Sequence, residues 1–173
     1  MPTKSQIGVS TLRKEAWDKV TGAAKYNGDR IPRSTLHARI LTSTKAHAII
    51  QSIDTKEAEK SQGVQKIITG EQVPILTGPL IQDRPPLARE KVRYFGEPIA
   101  IVVANSEEEA ARAITLIKVK YKPLPLVNSI SEAIKPDTPL IHEELGNYVC
   151  ATEDVFPKAH TNIADEVKIK IGR

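Results

Sequence analysis

The sequence predicts an α+β fold: a mixed sheet with two or three short helices packed on it. Three observations carry that expectation. PIAIVVA at residues 98–104 is a continuous apolar run, as in a strand covered on both faces. It leads directly into a stretch with helix-capping chemistry and helical apolar spacing. Elsewhere, short alternating apolar segments are separated by glycine and proline.

Taken in order, residues 1–35 hold Gly22, Gly28 and Pro32 with little periodicity, which predicts an extended arm with turns. Leu36, Ala38 and Ile40 alternate with His37, Arg39 and Leu41, which predicts a strand burying the first set. Residues 47–53 form a second short strand. Asp54 stands three residues before Glu57, an N-cap spacing, so residues 55–62 are expected to be a short helix closed by Gly63. Residues 64–69 return as a strand. Residues 70–93 contain Gly70, Pro74, Gly78, Pro79, Pro85 and Pro86, too many breakers for a regular element, and a loop of that length suggests function or packing on another body.

The run at 98–104 is expected to be the centre of the core, with Ile99, Ile101, Val102 and Val103 beneath the next helix. Ser106 and Glu109 form an S-x-x-E capping box, and Glu107, Glu108 and Glu109 place negative charge at the positive end of the helix dipole. Ala110, Ile114 and Ile117 fall on one face, with small Ala111 and Ala113 beside them. Gly96 in YFGEP permits close backbone approach or a tight turn into the strand. Val119, Tyr121 and Leu124 alternate with lysines until the prolines stop them. Ser129 and Glu132 open one more helical turn. After Lys135 the chain reads as irregular until EVKIKI, where Val167, Ile169 and Ile171 form the apolar face of a strand with no later segment to pair with. The expected organisation is an arm at 1–35, a domain at 36–147, and an extended tail and strand at 148–173 leading to a further domain.

Composition excludes several functional classes. The 173 residues are 40% hydrophobic and 27% charged with seven aromatics, so the core must be aliphatic and disorder throughout is ruled out. One cysteine, Cys150, excludes an internal disulfide framework and a four-cysteine iron-sulfur cluster. The longest apolar run has six residues, residues 99–104, against the roughly 20 that span a bilayer, so no membrane segment is expected. Residues 1–17 have no hydrophobic region of secretory type, which points to the cytoplasm. Net charge is +4 and diffuse, so no nucleic-acid partner is expected; the nearest basic groups are Arg30, Arg33, Arg39 and the alternation Lys118, Lys120, Lys122.

Neither a G-x-G-x-x-G nor a G-x-x-x-x-G-K-[ST] phosphate cradle is present; the nearest approach, Gly70 to Gly78, contains Pro74. His37, His47, His142 and His160 form no H-E-x-x-H pattern, and His142-Glu143-Glu144 lacks a second histidine at i+4. Cys150 would need a histidine at bonding distance to be a nucleophile, and His160 is merely near it in sequence. The pairs Glu143-Glu144 and Glu153-Asp154 have nothing apolar beside them in sequence to raise a pKa. No catalytic, cofactor-binding or metal-binding residue is assigned.

Six phrases carry a family resemblance: VTGAAKYNGD at 20–29, KAHAIIQSID at 45–54, GVQKIITGEQVP at 63–74, RPPLAREKVRYFGEPIAIVVA at 84–104, EEEAARAITLIKVKYKPLP at 107–125 and PLIHEELGN at 139–147. In these residues the chain resembles the N-terminal α/β-hammerhead domain of the molybdopterin-binding large subunit in the xanthine dehydrogenase and aldehyde oxidase family. The resemblance implies a non-catalytic structural domain or split subunit of a molybdenum hydroxylase. Such an oxidoreductase inserts a water-derived oxygen into a purine, aldehyde or similar carbon and passes electrons through iron-sulfur clusters to FAD. The expected partners are the remaining molybdopterin-binding part of the large subunit and the iron-sulfur and flavin subunits. In the family, the pterin-binding stretches and the catalytic glutamate lie in later domains, so the molybdopterin cofactor, the clusters and FAD are implied for the full enzyme and none for this chain. Two other classes compete. One is a free-standing binding module using the Arg30, Arg33, Arg39 region; the other is a carrier-like domain modified on a lysine.

Overall fold

The computed structural model describes residues 7–172. The chain divides into two compact units at Thr35 and Leu36. The first contains a short helix, α1 (Ala16–Val20), and a single 3-10 turn at Asn27–Arg30, so the segment expected to be an extended arm with turns also holds a helical turn. The part of that expectation covering residues 1–6 lies outside the described residues.

The second unit contains β1 (His37–Thr42), β2 (Ala48–Asp54), α2 (Lys56–Glu59), β3 (Val64–Thr69), β4 (Lys91–Val92), β5 (Pro98–Ala104), α3 (Glu107–Ile114), β6 (Lys118–Pro123) and α4 (Ile130–Ala133). These build two three-stranded antiparallel sheets, ordered β1-β5-β3 and β4-β2-β6. The apolar run PIAIVVA is the middle strand of the first sheet. Its apolar side chains enter clusters on both faces of the sheet, Val102 in one and Ile99 in the other, which is why the run carries so little polarity.

Alternation along β5 divides its residues between two environments. Ala100, Val102 and Ala104 are fully buried in a cluster with Ile67 of β3, Ala110 and Ala113 of α3, and Ile117. Alanine on both strand and helix lets the helix axis approach the sheet closely, and the full burial of both helix alanines reflects that. Ile99 faces a second cluster with Ala48 of β2, Ala88 of the long loop and Val92 of β4. Ile101 and Val103 are only half-buried. The expectation that all four of Ile99, Ile101, Val102 and Val103 lie beneath the helix is therefore corrected: Val102 alone does, while Ile99, Ile101 and Val103 share the opposite face, where Ile99 is buried by the second cluster and the other two are half-buried.

The same parity corrects β1. Its residues pair directly with β5 as Arg39 to Val102 and Leu41 to Ala100, which puts Arg39 and Leu41 on the helix side. Leu41 packs on the core, whereas Leu36 and Ile40 remain 50% and 53% exposed. The alternation is real, but its buried set is the one-residue-shifted partner of that expected.

The Ser106 hydroxyl accepts the Glu109 N–H at 3.2 Å, as the capping spacing requires, while the Glu109 carboxylate lies over Gly63 rather than closing the box. Helix α2 begins one residue later than expected and is a single turn; Asp54 accepts the Lys56 N–H at 3.2 Å, and Gly63 takes a positive φ of 80° in the turn into β3. Ser129 likewise accepts the Glu132 N–H at 3.2 Å to open α4. At Gly96 the φ is 85° with open space around the position, and its N–H donates to the Ser43 carbonyl at 2.9 Å. The glycine serves a tight strand-entry turn, not a close approach.

Residues 70–93 are more ordered than their prolines suggest. A 3-10 turn occupies Gly70–Gln72, Thr77 and Arg84 form a bridge, and β4 pairs with β2. Leu87, Ala88 and Val92 from this segment are at most 2% exposed. The expected terminal strand does not form: residues 164–172 have no regular element, and Val167, Ile169 and Ile171 are 75%, 79% and 92% exposed. An alternating pattern specifies which face a strand would bury; a strand itself requires a hydrogen-bonding neighbour. Residue 173 of that expectation lies outside the described residues.

Candidate functional site

The charged groups that the fold gathers most closely lie where residues 80–97 meet residues 139–151. The backbone joins them first. Gln82 N–H donates to the Val149 carbonyl at 2.8 Å, Ala151 N–H to the Leu80 carbonyl at 2.7 Å, and Ile81 bridges Cys150. Side chains complete the junction: Lys91 Nζ donates to Glu143 Oε1, and Arg93 Nε donates to the Ile141 carbonyl at 3.1 Å. Asn162 holds the second segment from behind, its Oδ1 accepting Ile141 N–H at 2.9 Å and its Nδ2 donating to Pro139 O at 3.1 Å.

The electrostatics follow from burial. Glu97, 2% exposed, accepts the Arg93 backbone N–H; burial raises its pKa above 4.5, and the hydrogen bond and charge of Arg93 oppose that rise. His142 sits 3.8 Å from Asp83 and 3.4 Å from the Tyr148 hydroxyl, with the two rings edge to face at 5.7 Å. Burial, reinforced by the Arg93 and Lys91 cations, holds His142 below 6.5 despite Asp83. Burial also raises the Tyr148 phenol above 10.0. Burial would raise Glu143, but the Lys91 hydrogen bond and charge outweigh it and the carboxyl is lowered. A cavity of about 490 Å³ opens here, walled by Arg89, Lys91, Arg93, Glu143, Glu144 and Tyr148 with Ile49 and Leu76 beside them.

Chemically, this is a clamp. Lys91 is neutralised by Glu143, His142 is neutral at pH 7 with a protonated phenol as neighbour, and Cys150 Sγ lies 3.9 Å from the Tyr148 carbonyl. No nucleophile is paired with a base among these groups. His142 gives the clamp a pH dependence of definite sign. Its folded pKa lies below its unfolded value, so the unfolded chain binds more protons as pH falls below 6.5, and stability drops there. His142→Gln should flatten that part of a stability profile between about pH 7.5 and 5.5; an unchanged slope in urea titrations would show that the histidine does not titrate differently on folding.

The other residues singled out in the sequence are dispersed. Arg30 and Arg33 belong to the first unit, while Arg39 is bonded to Glu107 of α3 at 2.7 Å, so one of the three cations already has a carboxylate. Lys118 pairs with Glu57 at 3.0 Å, and Lys120 and Lys122 are exposed on β6. Glu153 and Asp154 are exposed. His160 lines a separate cavity with Lys135 and Thr161. His47 is 5% exposed; its Nδ1 lies 2.6 Å from the Pro125 carbonyl, and its Nε2 has no hydrogen-bond partner among the described residues.

Asp83, Lys91, Arg93, Glu97 and Tyr148 carried no signal of their own, because three lie in the proline-rich stretch, Glu97 in the turn before β5 and Tyr148 in an irregular tail. One signal was present: Lys91, Arg93 and Glu97 flank Val92 and Ile99 closely, so any fold burying those two must find partners for the charges.

Residues 21–125, which hold both sheets and α3, match the family model of the aldehyde oxidase and xanthine dehydrogenase a/b hammerhead domain. The chain belongs to this family. The hammerhead chain is 40% identical over 137 residues to a probable xanthine dehydrogenase subunit of Bacillus subtilis (strain 168), covering 78% of this chain and 18% of that protein. It is 37% identical over 142 residues to the gamma subunit of the 6-hydroxypseudooxynicotine dehydrogenase complex of Paenarthrobacter nicotinovorans, covering 74% and 18%. The nicotinate dehydrogenase large molybdopterin subunit of Eubacterium barkeri is 30% identical over 138 residues, covering 79% and 32%. Among solved structures, aldehyde oxidoreductase from Desulfovibrio gigas superposes with a TM-score of 0.66 at 34% identity, covering 83% of this chain and 17% of that one. The reconstituted CO dehydrogenase from Oligotropha carboxidovorans gives 0.74 at 29% identity, covering 88% and 20%. The hammerhead chain thus spans less than a fifth of the first two relatives.

The donor set of the described residues does not fit an iron-sulfur cluster. One cysteine cannot hold an iron-sulfur group, the described residues contain no group of three His, Cys, Asp or Glu arranged for a metal, and the unpartnered His47 Nε2 borders none of the cavities described above.

Proposed function

We propose that this chain is a non-catalytic hammerhead scaffold of a xanthine dehydrogenase or aldehyde oxidase type molybdenum hydroxylase, docking on the molybdopterin-binding remainder of the large subunit. The observation that carries the reading is the match to under a fifth of much longer relatives by a domain whose best-built polar site is a clamp. Residues 36–147 are the hammerhead and residues 148–173 lead toward the next domain. The iron-sulfur and flavin subunits are partners of the whole assembly, and the molybdopterin cofactor, the clusters and FAD belong to that assembly. The cytoplasm suits a chain with a single free thiol.

The contacts in this reading are the exposed side chains Ile75, Leu76 and Leu80 of the long loop and the tail residues Val167, Ile169 and Ile171. The tail alternates apolar and charged residues but lacks a neighbouring strand, and a partner sheet edge would supply one. Co-expression with the molybdopterin-binding polypeptide of the same genome should yield a complex that oxidises an aldehyde or a purine. Amide exchange should slow on the order of tenfold or more at residues 75–80 and 166–172, with little change at residues 99–104, which are protected already. A chain that neither binds that polypeptide nor changes its activity overturns the docking role.

A further inference from the structure

The register of the first sheet assembles an apolar surface on the face away from α3. Ile40 of β1 stands directly opposite Ile101 of β5, and Ile101 directly opposite Ile68 of β3. Directly opposed residues of antiparallel strands share a face, so the three isoleucines form one row across all three strands. The next row on that face is Ala38, Val103 and Lys66. Five of these six positions are apolar. Ile40 is 53% exposed, Ala38 is exposed, and Ile68, Ile101 and Val103 are only half-buried. The outer edge of β1 is also unpaired within the described strands, since β1 is a terminal strand of its sheet. Soluble proteins protect such an edge with charge or with cover, and this face offers a single lysine on the far strand.

We infer that the Ile40–Ile101–Ile68 face is the principal seat for the remainder of the large-subunit polypeptide, with β1 as the strand nearest to it. The inference rests on the docking role proposed above and names a surface distinct from the loop and the tail. The occupant is fixed by two facts. The face is apolar and nearly uncharged, which suits the interior-like surface of a permanently attached polypeptide and offers nothing to a phosphate backbone. The two relatives matched at 18% of their length carry the domain together with more than four times as much polypeptide in the same chain. A domain held by its own chain needs a permanent apolar seat, and this sheet face supplies one.

The test uses Ile40→Lys in the tagged chain, co-expressed with the molybdopterin-binding polypeptide of the same genome. Ala38→Arg serves as a second variant in the neighbouring row, and Lys120→Asp on β6 as a control in the other sheet. Far-UV circular dichroism and thermal melting of each chain alone establish that it folds; Ile40 and Ala38 are exposed, so a folded variant is expected. The inference predicts that Ile40→Lys and Ala38→Arg each weaken the complex by about tenfold or more while Lys120→Asp leaves it unchanged, and that β1 amides gain protection in the wild-type complex. If wild-type and both row variants bind equally well, this face is not the seat while the docking role stands. If the wild-type chain does not bind at all, the docking role fails and the inference with it. A dimer of this chain that Ile40→Lys dissolves would make a second copy the occupant and overturn the assignment.

Discussion

Replacing Ile99 by alanine should destabilise the domain by about 2–5 kcal/mol, the range for truncating a fully buried isoleucine. Ile99 is 0% exposed and packs among Ala48, Ala88 and Val92, three residues brought together from β2 and the end of the long loop. These neighbours are small or stiff, so the space left behind cannot be refilled by a side-chain rotation, and the cavity term adds to the lost burial. Ile101→Ala removes the same atoms two residues along the same strand. Ile101 shares the face of Ile99 but lies half-buried and outside the second cluster, so its cost in the isolated chain should be clearly smaller. Urea unfolding followed by far-UV circular dichroism compares the two directly. Equal losses, or a loss below about 0.5 kcal/mol for Ile99→Ala, would show that the second cluster is not a core.

Gly70→Ala should cost about 1–3 kcal/mol through overpacking. A Cβ at Gly70 would meet the Leu87 and Ala88 carbonyl oxygens, each at 2.7 Å, and Arg89 Cγ at 2.6 Å. The arginine stem can move aside, but the two carbonyls belong to the buried segment that carries Leu87 and Ala88. Relief therefore requires a backbone shift that disturbs the second core cluster. Gly96→Ala is the informative comparison. There the φ of 85° strains any side chain by about 1–2 kcal/mol, yet nothing lies within 4 Å of the added carbon. Adding a guest of increasing size, alanine and then valine, should raise the cost steeply at position 70 and little at position 96. Parallel behaviour at the two sites would contradict the close approach at Gly70.

Several elements could be read from residue order alone because their causes are local. Ser106 and Ser129 stand three residues before the N–H groups they cap, so those bonds close within a single turn. Gly96 occupies a turn that demands a left-handed residue. The unbroken apolar run of β5 announces a central strand with apolar surroundings on both faces, α3 over Val102 and the second cluster over Ile99. Periodicity likewise found β1, β2, β3 and β6, and the quoted phrases pointed to the family whose match extends over residues 21–125.

Which face each strand buries was decided by tertiary packing. Alternation at residues 36–41 marks two sets of side chains, but the identity of the buried set depends on where α3 lands, and α3 lands on the face of Arg39 and Leu41. The clamp of Lys91, Arg93, Glu97, His142 and Tyr148 was invisible for a related reason. Its partners are separated by about fifty residues of chain, and no local rule connects a proline-rich loop to an irregular tail. Residues 166–172 show the converse: their alternation specifies the face of a strand, while the strand itself depends on an edge to pair with. Sequence by itself determined the elements whose hydrogen bonds close within a few residues and the apolar character of the central strand. The tertiary structure alone decided face, register and the partners of buried charge, because those energies come from contacts between segments distant along the chain.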